Sequence, residues 1–105
     1  ARLINEAKAL EHAGAFSAVV EGTLSPVAAK VTKSVQMPII GIGAGADVDG
    51  QVLVWSDMLG FFDEFKPKFV KRYLDGANLV RTAVEAYARE VREKTFPSNE
   101  FEYKI

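Results

Sequence analysis

The chain has 105 residues, of which 26% are charged, with a formal net charge of −1 and no cysteine. This length allows one domain at most and is short for a complete α/β barrel, which takes about 250 residues. The charge balance argues against a nucleic-acid surface. The lack of cysteine excludes disulfides and thiolate metal sites. No segment approaches the roughly 20 apolar residues that a membrane-spanning helix needs.

The first half of the chain alternates between helical and extended patterns. The N-terminal ten residues carry charges at helical spacing, unlike a signal peptide, and the missing initiator Met leaves open a processed N-terminus or a fragment. The patterns predict a helix over 2–13 ended by Gly14, a buried strand over 16–20, a helix from an N-cap at Ser25 to about Val35, and a strand over 37–42. Strands separated by a single helix indicate parallel βαβ units.

The second half of the chain is predicted to be helical. Apolar residues at spacings of three and four predict a helix over 51–59, which Gly60 ends. The patterns further predict a short helix over 67–74 and a long helix from an N-cap at Asn78 to about Lys94. The tail, residues 96–105, has no periodicity.

Two strands are too few for a stable parallel sheet, because each would leave an unpaired edge and an uncovered apolar face. The pattern is therefore typical of the last part of a larger barrel. The missing strands must come from an absent N-terminal portion or from another chain.

Glu21 directly follows a predicted buried strand. The carboxyl ends of barrel strands face the active site, and a carboxylate there suits general acid–base work. The alternative is a strand-end glutamate that turns to solvent or caps the next helix. Spacing alone leaves both interpretations open.

A glycine-rich loop follows the second predicted strand, with Gly41, Gly43 and Gly45 in alternation. Glycine lets backbone N–H groups approach a ligand closely, so these three residues are candidates for substrate binding. The alternative is a tight turn that needs positive φ. The glycine spacing resembles a dinucleotide-binding motif, but no helix starts directly after it, so the match is poor. The loop does not match a P-loop either, because no Gly-Lys-Ser/Thr follows.

Two further groups are interpreted as structural. The basic run from Lys66 to Arg72 is taken as the solvated face of the short helix predicted there. The aromatic residues nearby are taken as core or subunit interface rather than a cofactor site; they are Trp55, Phe61, Phe62 and Phe65.

Five blocks of sequence, in order along the chain, resemble ketopantoate hydroxymethyltransferase near its C-terminal end. The resemblance covers nearly all of the chain, and the order and spacing of the blocks make it specific. The blocks are Gly14-Ala15 with Val19-Val20-Glu21, then Pro38–Gly45, Asp49–Val54, Asp57–Gly60 and Pro67–Lys71, and Phe96-Pro97 resembles the family's terminal Phe/Tyr-Pro.

The resemblance implies an α/β fold in which residues 1–105 are the C-terminal segment of a single (β/α)8 TIM-type barrel domain. This segment would contain the last two strands and the C-terminal helices, with the N-terminal strands absent. The implied reaction transfers a hydroxymethyl group from 5,10-methylenetetrahydrofolate to the keto acid 3-methyl-2-oxobutanoate, giving ketopantoate for pantothenate and coenzyme A. The resemblance further implies a cytoplasmic homo-oligomer with no nucleic-acid or membrane partner.

The resemblance also implies a bound Mg²⁺ that polarises the keto acid as a Lewis acid. A strand-end glutamate is the family's general base, and Glu21 matches its position. The family's metal ligands, two Asp and one Glu, and a lysine that binds the keto acid lie on earlier strands, so no metal ligand is assigned here. The chain alone is therefore expected to be inactive. Leu24 departs from the family, which often has Pro at that place, so the geometry after Glu21 stays open.

Two other functions remain open from the sequence. One is a truncated, non-catalytic interaction module that binds a full-length homologue, which the missing metal ligands favour. The other is a lyase or mutase of the phosphoenolpyruvate/pyruvate barrel type, whose members share enolates stabilised by Mg²⁺.

Overall fold

The computed structural model describes the whole chain, residues 1–105, as an α/β structure. Its regular elements are α1 (Arg2–His12), β1 (Ala18–Glu21), α2 (Ser25–Ser34), β2 (Ile39–Ile42), β3 (Gly50–Gln51), α3 (Trp55–Met58), α4 (Gly76–Glu93) and a 3-10 helix (Asn99–Phe101). The predicted helix–strand–helix–strand order of the first half is confirmed. None of the helices is long and apolar enough to cross a membrane.

The three strands form one parallel sheet in the order β1-β2-β3. Parallel pairing of the first two strands was predicted, and Glu21 lies opposite Ile42 in the register. The third strand was missed, because Gly50 and Gln51 were assigned to the loop and to a helix. The predicted helix over 51–59 is therefore wrong over its first part, and only Trp55–Met58 is helical.

A small apolar core lies between the sheet and the first two helices. Ile39 of β2 is 0% exposed and packs with Ala7 of α1 and Val31 of α2. Side chains alternate along a strand, so the residues between the core positions point to the opposite face. That face has no cover: Val19 is 62% exposed, and Glu21 beside it is also exposed.

Glu11 connects α1 to the entrance of β2. Its carboxylate oxygen Oε2 accepts hydrogen bonds from the backbone N–H groups of Gln36 (2.8 Å) and Met37 (2.6 Å). These N–H groups follow the end of α2 and have no strand partner of their own. One side chain thus fixes the turn that directs the chain into the sheet.

Both predicted N-caps are wrong. The carbonyl of Leu24 accepts from the backbone N–H groups of Val27 and Ala28, so α2 begins with Ser25 already helical. In the same way α4 begins at Gly76, and Asn78 lies inside it. Tertiary contact sets that start, because the N–H of Gly76 donates to the carbonyl of Leu59 (2.8 Å) and a Cβ at Gly76 would collide with that carbonyl.

The segment between α3 and α4, residues 61–75, crosses the sheet end as an irregular strap. The helix predicted over 67–74 is wrong, since this stretch has only isolated turns. Val70 is 3% exposed and anchors the strap, while the N–H of Tyr73 donates to the carbonyl of Met58 (2.7 Å). These contacts with distant residues outweigh the weak local helical pattern.

Candidate functional site

The loops after β1 and β2 meet at the carboxyl end of the sheet. The N–H of Gly22 donates to the carbonyl of Ile42 (2.9 Å), and the N–H of Thr23 donates to the carbonyl of Gly43 (3.1 Å). The hydrogen bonding of the two strands therefore continues past their ends. It holds the residue after Glu21 beside the glycine-rich loop, which is where parallel α/β folds place ligands.

Glu21 is the last residue of β1 and faces the open side of the sheet. Its side chain is exposed and forms no hydrogen bond within the chain, while its backbone carbonyl accepts from the Thr23 hydroxyl (3.1 Å). Glu21 lines none of the clefts in this chain. The structure thus brings its backbone, but not its carboxylate, to the glycine-rich loop.

Gly43 lies beneath the ring of Phe69, a residue of the strap. Its φ is +66°, and a Cβ built there would come 2.5 Å from Cδ2 of Phe69. Glycine is needed at this position for two reasons, the left-handed backbone and the aromatic ring against it. The positive φ expected of a tight turn is present, and the group that approaches Gly43 closely is the Phe69 ring. Substrate binding by this loop stays a prediction.

Gly41 and Gly45 have different surroundings. Gly41 is buried within β2, and a Cβ there would come 2.9 Å from Cγ2 of Val48, so its smallness serves packing. Gly45 has a φ of +83° and lies against Ser25 at the start of α2. The side chain of Gln51 donates to the carbonyl of Gly45 (2.7 Å), which fixes the loop to β3.

Three clefts are lined by both Gly43 and Phe69, and the two larger ones each contain a lysine. The first, called the Lys68 cleft, has a volume of about 560 Å³ and is lined by Gly22, Thr23, Leu24, Ser25, Gly43, Gly45, Lys68 and Phe69. The second, called the Lys71 cleft, has a volume of about 420 Å³ and is lined by Gly43, Gln51, Val52, Leu53, Met58, Phe69, Lys71 and Tyr73. The glycine-rich loop is therefore the shared floor of both clefts.

The cleft lysines have no acidic partner. The chain has two ion pairs, Arg2 with Glu6 and Arg81 with Asp63, and neither involves Lys68 or Lys71. The ammonium of Lys71 lies 4.8 Å from the centre of the Tyr73 ring. Sequence reasoning missed both lysines because it placed them on a solvated helix, and no local pattern indicates the crossing of the strap over the loop.

The chain offers no set of side chains that fits a metal ion. No group of three or more His, Asp or Glu residues comes together anywhere in it. Asp49, one of the acidic residues near the loop, instead accepts a hydrogen bond from the N–H of Ile39 through its carboxylate (2.8 Å). We therefore derive no chemical step through a metal from these residues.

Comparisons of this chain with known proteins identify a single family. The family model described as ketopantoate hydroxymethyltransferase matches residues 1–99. A 3-methyl-2-oxobutanoate hydroxymethyltransferase of Campylobacter concisus is 68% identical over 98% of this chain, which spans 38% of that relative. The protein of the same name from Nitratiruptor is 67% identical over 97% of the chain, which spans 39% of its length. The one from Helicobacter pylori is 54% identical over 96% of the chain, which spans 37% of its length.

Proposed function

Because the chain belongs to the ketopantoate hydroxymethyltransferase family, we propose that it forms the C-terminal part of a (β/α)8 barrel with that activity. The barrel would transfer a hydroxymethyl group from 5,10-methylenetetrahydrofolate to 3-methyl-2-oxobutanoate. The rest of the barrel would come from the part of the relatives that this chain does not span.

The observation that carries the proposal is the position of Glu21 on the open face of a one-sided parallel sheet. Helices cover the other face, as they do on the outside of a barrel, and Glu21 ends its strand at the carboxyl edge. In a closed barrel the open face becomes the interior, and its carboxyl end is where catalytic side chains lie. A carboxylate at that place can reach a bound substrate.

Glu21 would act as the general base. One of its carboxylate oxygens accepts the proton from C3 of the keto acid, and the electrons of the broken C–H bond form the enolate. C3 then bonds to the methylene carbon of the folate, both bonds from that carbon to the folate nitrogens break, and water supplies the hydroxyl group. The proton from C3 and one proton of the water end on the two nitrogens of the released tetrahydrofolate. Gly43 and Gly45, which line the clefts beside this edge, would contact the substrates through their backbone; Gly41 supports them by packing.

The Mg²⁺ that the family resemblance implies would be held by residues outside this chain. A homo-oligomer is also part of the proposal. Apolar side chains are exposed along one side of α4, and either the rest of the barrel or another subunit would cover them; they are Val80, Val84, Tyr87 and Val91.

The deciding experiment is a turnover assay of the full-length protein that contains this chain. Ketopantoate should form from 3-methyl-2-oxobutanoate only when 5,10-methylenetetrahydrofolate is present. Consumption of the keto acid without the folate would instead indicate a lyase or mutase. A protein without turnover that binds a full-length homologue in a pull-down would indicate an interaction module.

A further inference from the structure

Two lysines without an acidic partner line clefts beside the glycine-rich loop. Lys68 lines one cleft, Lys71 lines the other, and Phe69 lines both. No carboxylate of the chain lies within ion-pair distance of either ammonium. Cations that line a cleft favour the entry of an anionic ligand, because a concave surface concentrates their field.

The size of the clefts is compatible with a ligand larger than the keto acid. Both clefts are open to solvent, and their volumes, about 560 and 420 Å³, leave room for more than a five-carbon keto acid. A keto acid of five carbons has only one carboxylate for the two lysines. A ligand with several carboxylates can give each lysine a carboxylate of its own.

The lysine side chains of the strap suit a ligand with several carboxylates in a row. Lysine carries a compact charge on a flexible stem and does not impose the fixed two-pronged geometry of arginine. Two such groups can follow acidic groups at variable spacing. The exposed edge of Phe69, which is 39% exposed, offers apolar contact between them.

Resting on the proposed function, we propose that Lys68 and Lys71 bind the glutamate tail of the folate substrate. The tail crosses Phe69, so that each lysine meets a carboxylate, and the reactive end of the folate is directed to the carboxyl edge of β1 and β2. The two lysines would then determine the preference for folates with several glutamates.

The test uses the full-length protein with the substitutions Lys68→Ala, Lys71→Ala and Lys68→Arg. Lys66→Ala is the matched control, since Lys66 lies on the same strap but lines neither cleft. The KM is measured for methylenetetrahydrofolate with one and with three glutamates, and for the keto acid. We expect each alanine variant to raise the KM for the triglutamate about two- to fivefold, as for exposed charge pairs, and Lys68→Arg to restore most of it.

The unmodified protein should prefer the triglutamate, and the alanine variants should lose part of that preference. A donor KM that changes no more than in Lys66→Ala overturns the proposal. A larger rise in the keto-acid KM than in the donor KM also overturns it, because the carboxylate bound would then be that of the keto acid.

A binding measurement separates this proposal from the proposed function. Equilibrium dialysis with 5-formyltetrahydrofolate triglutamate needs no turnover. If the protein transfers no hydroxymethyl group, the proposed function fails, and dialysis still decides whether Lys68 and Lys71 hold the tail. Equal binding by the unmodified protein and both alanine variants counts against the inference whatever the activity.

Discussion

The ring of Phe69 lies directly over Gly43, with Cδ2 and Cγ at 2.5 Å and 2.7 Å from the place where a Cβ would stand. This contact joins the strap to the glycine-rich loop at the floor of both clefts. Because Gly43 also has a φ of +66°, any side chain there meets a backbone penalty and a steric one.

Gly43→Ala should lower both stability and substrate affinity. The left-handed backbone alone costs about 1–2 kcal/mol for a residue with a Cβ, and displacing Phe69 adds to it. Gly14→Ala is the matched control, since Gly14 has a φ of +103° and no atom within 4 Å of its missing Cβ. Melting temperature and the KM for both substrates are measured in the full-length protein.

We expect Gly14→Ala to lower the melting temperature without changing either KM, and Gly43→Ala to change both kinds of quantity. In the Phe69→Ala background the steric part of the Gly43→Ala effect should disappear and the backbone part should remain. Unchanged kinetics and unchanged stability in Gly43→Ala would exclude the loop from both a structural and a binding role.

Glu21→Gln should abolish proton loss from C3 of the keto acid while the keto acid still binds. Glutamine keeps the shape of the side chain but cannot accept the proton, and loss of a base commonly costs about 10²–10⁴-fold in rate. Loss of deuterium from C3-labelled substrate is followed without the folate. Glu85→Gln, on the exposed side of α4, is the control; exchange at the unmodified rate in Glu21→Gln would show that another group is the base.

The isolated chain of 105 residues should fold poorly and be inactive. Ten of its residues are buried, and its radius of gyration is 22.6 Å, whereas a compact domain of this size has about 13 Å. Circular dichroism during urea titration should show no cooperative transition. Cooperative unfolding of a monomer together with Mg²⁺-dependent turnover would contradict this prediction.

Glu11→Ala should destabilise the full-length protein by about 1–3 kcal/mol, because two backbone N–H groups lose a charged acceptor. Glu6→Ala on the same helix is the control; Glu6 is exposed and pairs with Arg2, so its loss should cost much less. The midpoints of urea unfolding are compared. Equal shifts for the two variants would show that the contacts of Glu11 with Gln36 and Met37 contribute little.

Arg81→Gln should raise the pKa of Asp63. The hydrogen bond from the Arg81 guanidinium (3.0 Å) holds that pKa below its usual value. Because the pKa of Asp63 is lower in the folded state than in the unfolded state, its carboxylate stabilises the folded state at pH values above the usual carboxyl pKa. This stabilisation disappears as the pH falls through the lowered pKa. A carboxyl NMR titration measures the pKa of Asp63 in both proteins. Added salt should reduce the difference, because both side chains are exposed. The same Asp63 titration curve with and without Arg81→Gln would contradict this prediction.

Local patterns in the sequence predict most of the helices and strands. Periodicity found α1, α2, α4 and the first two strands, and the order of these elements predicted their parallel pairing. It also placed Glu21 at a strand end, because the position of a residue along a strand is read directly from the chain. The boundaries were less accurate: Ser25 and Asn78 were predicted as caps, but backbone hydrogen bonds to other residues begin those helices.

Features that depend on residues far apart in the chain are visible only in the folded protein. A strand of two residues, Gly50–Gln51, exists because β2 offers it an edge, and no pattern of two residues can indicate that. The strap is irregular because Val70 is buried and Tyr73 bonds to Met58, contacts that override a weak helical preference. For the same reason only the folded chain shows that Phe69 covers Gly43 and that Lys68 and Lys71 lie in clefts: closeness in space comes from packing, which sequence spacing does not encode.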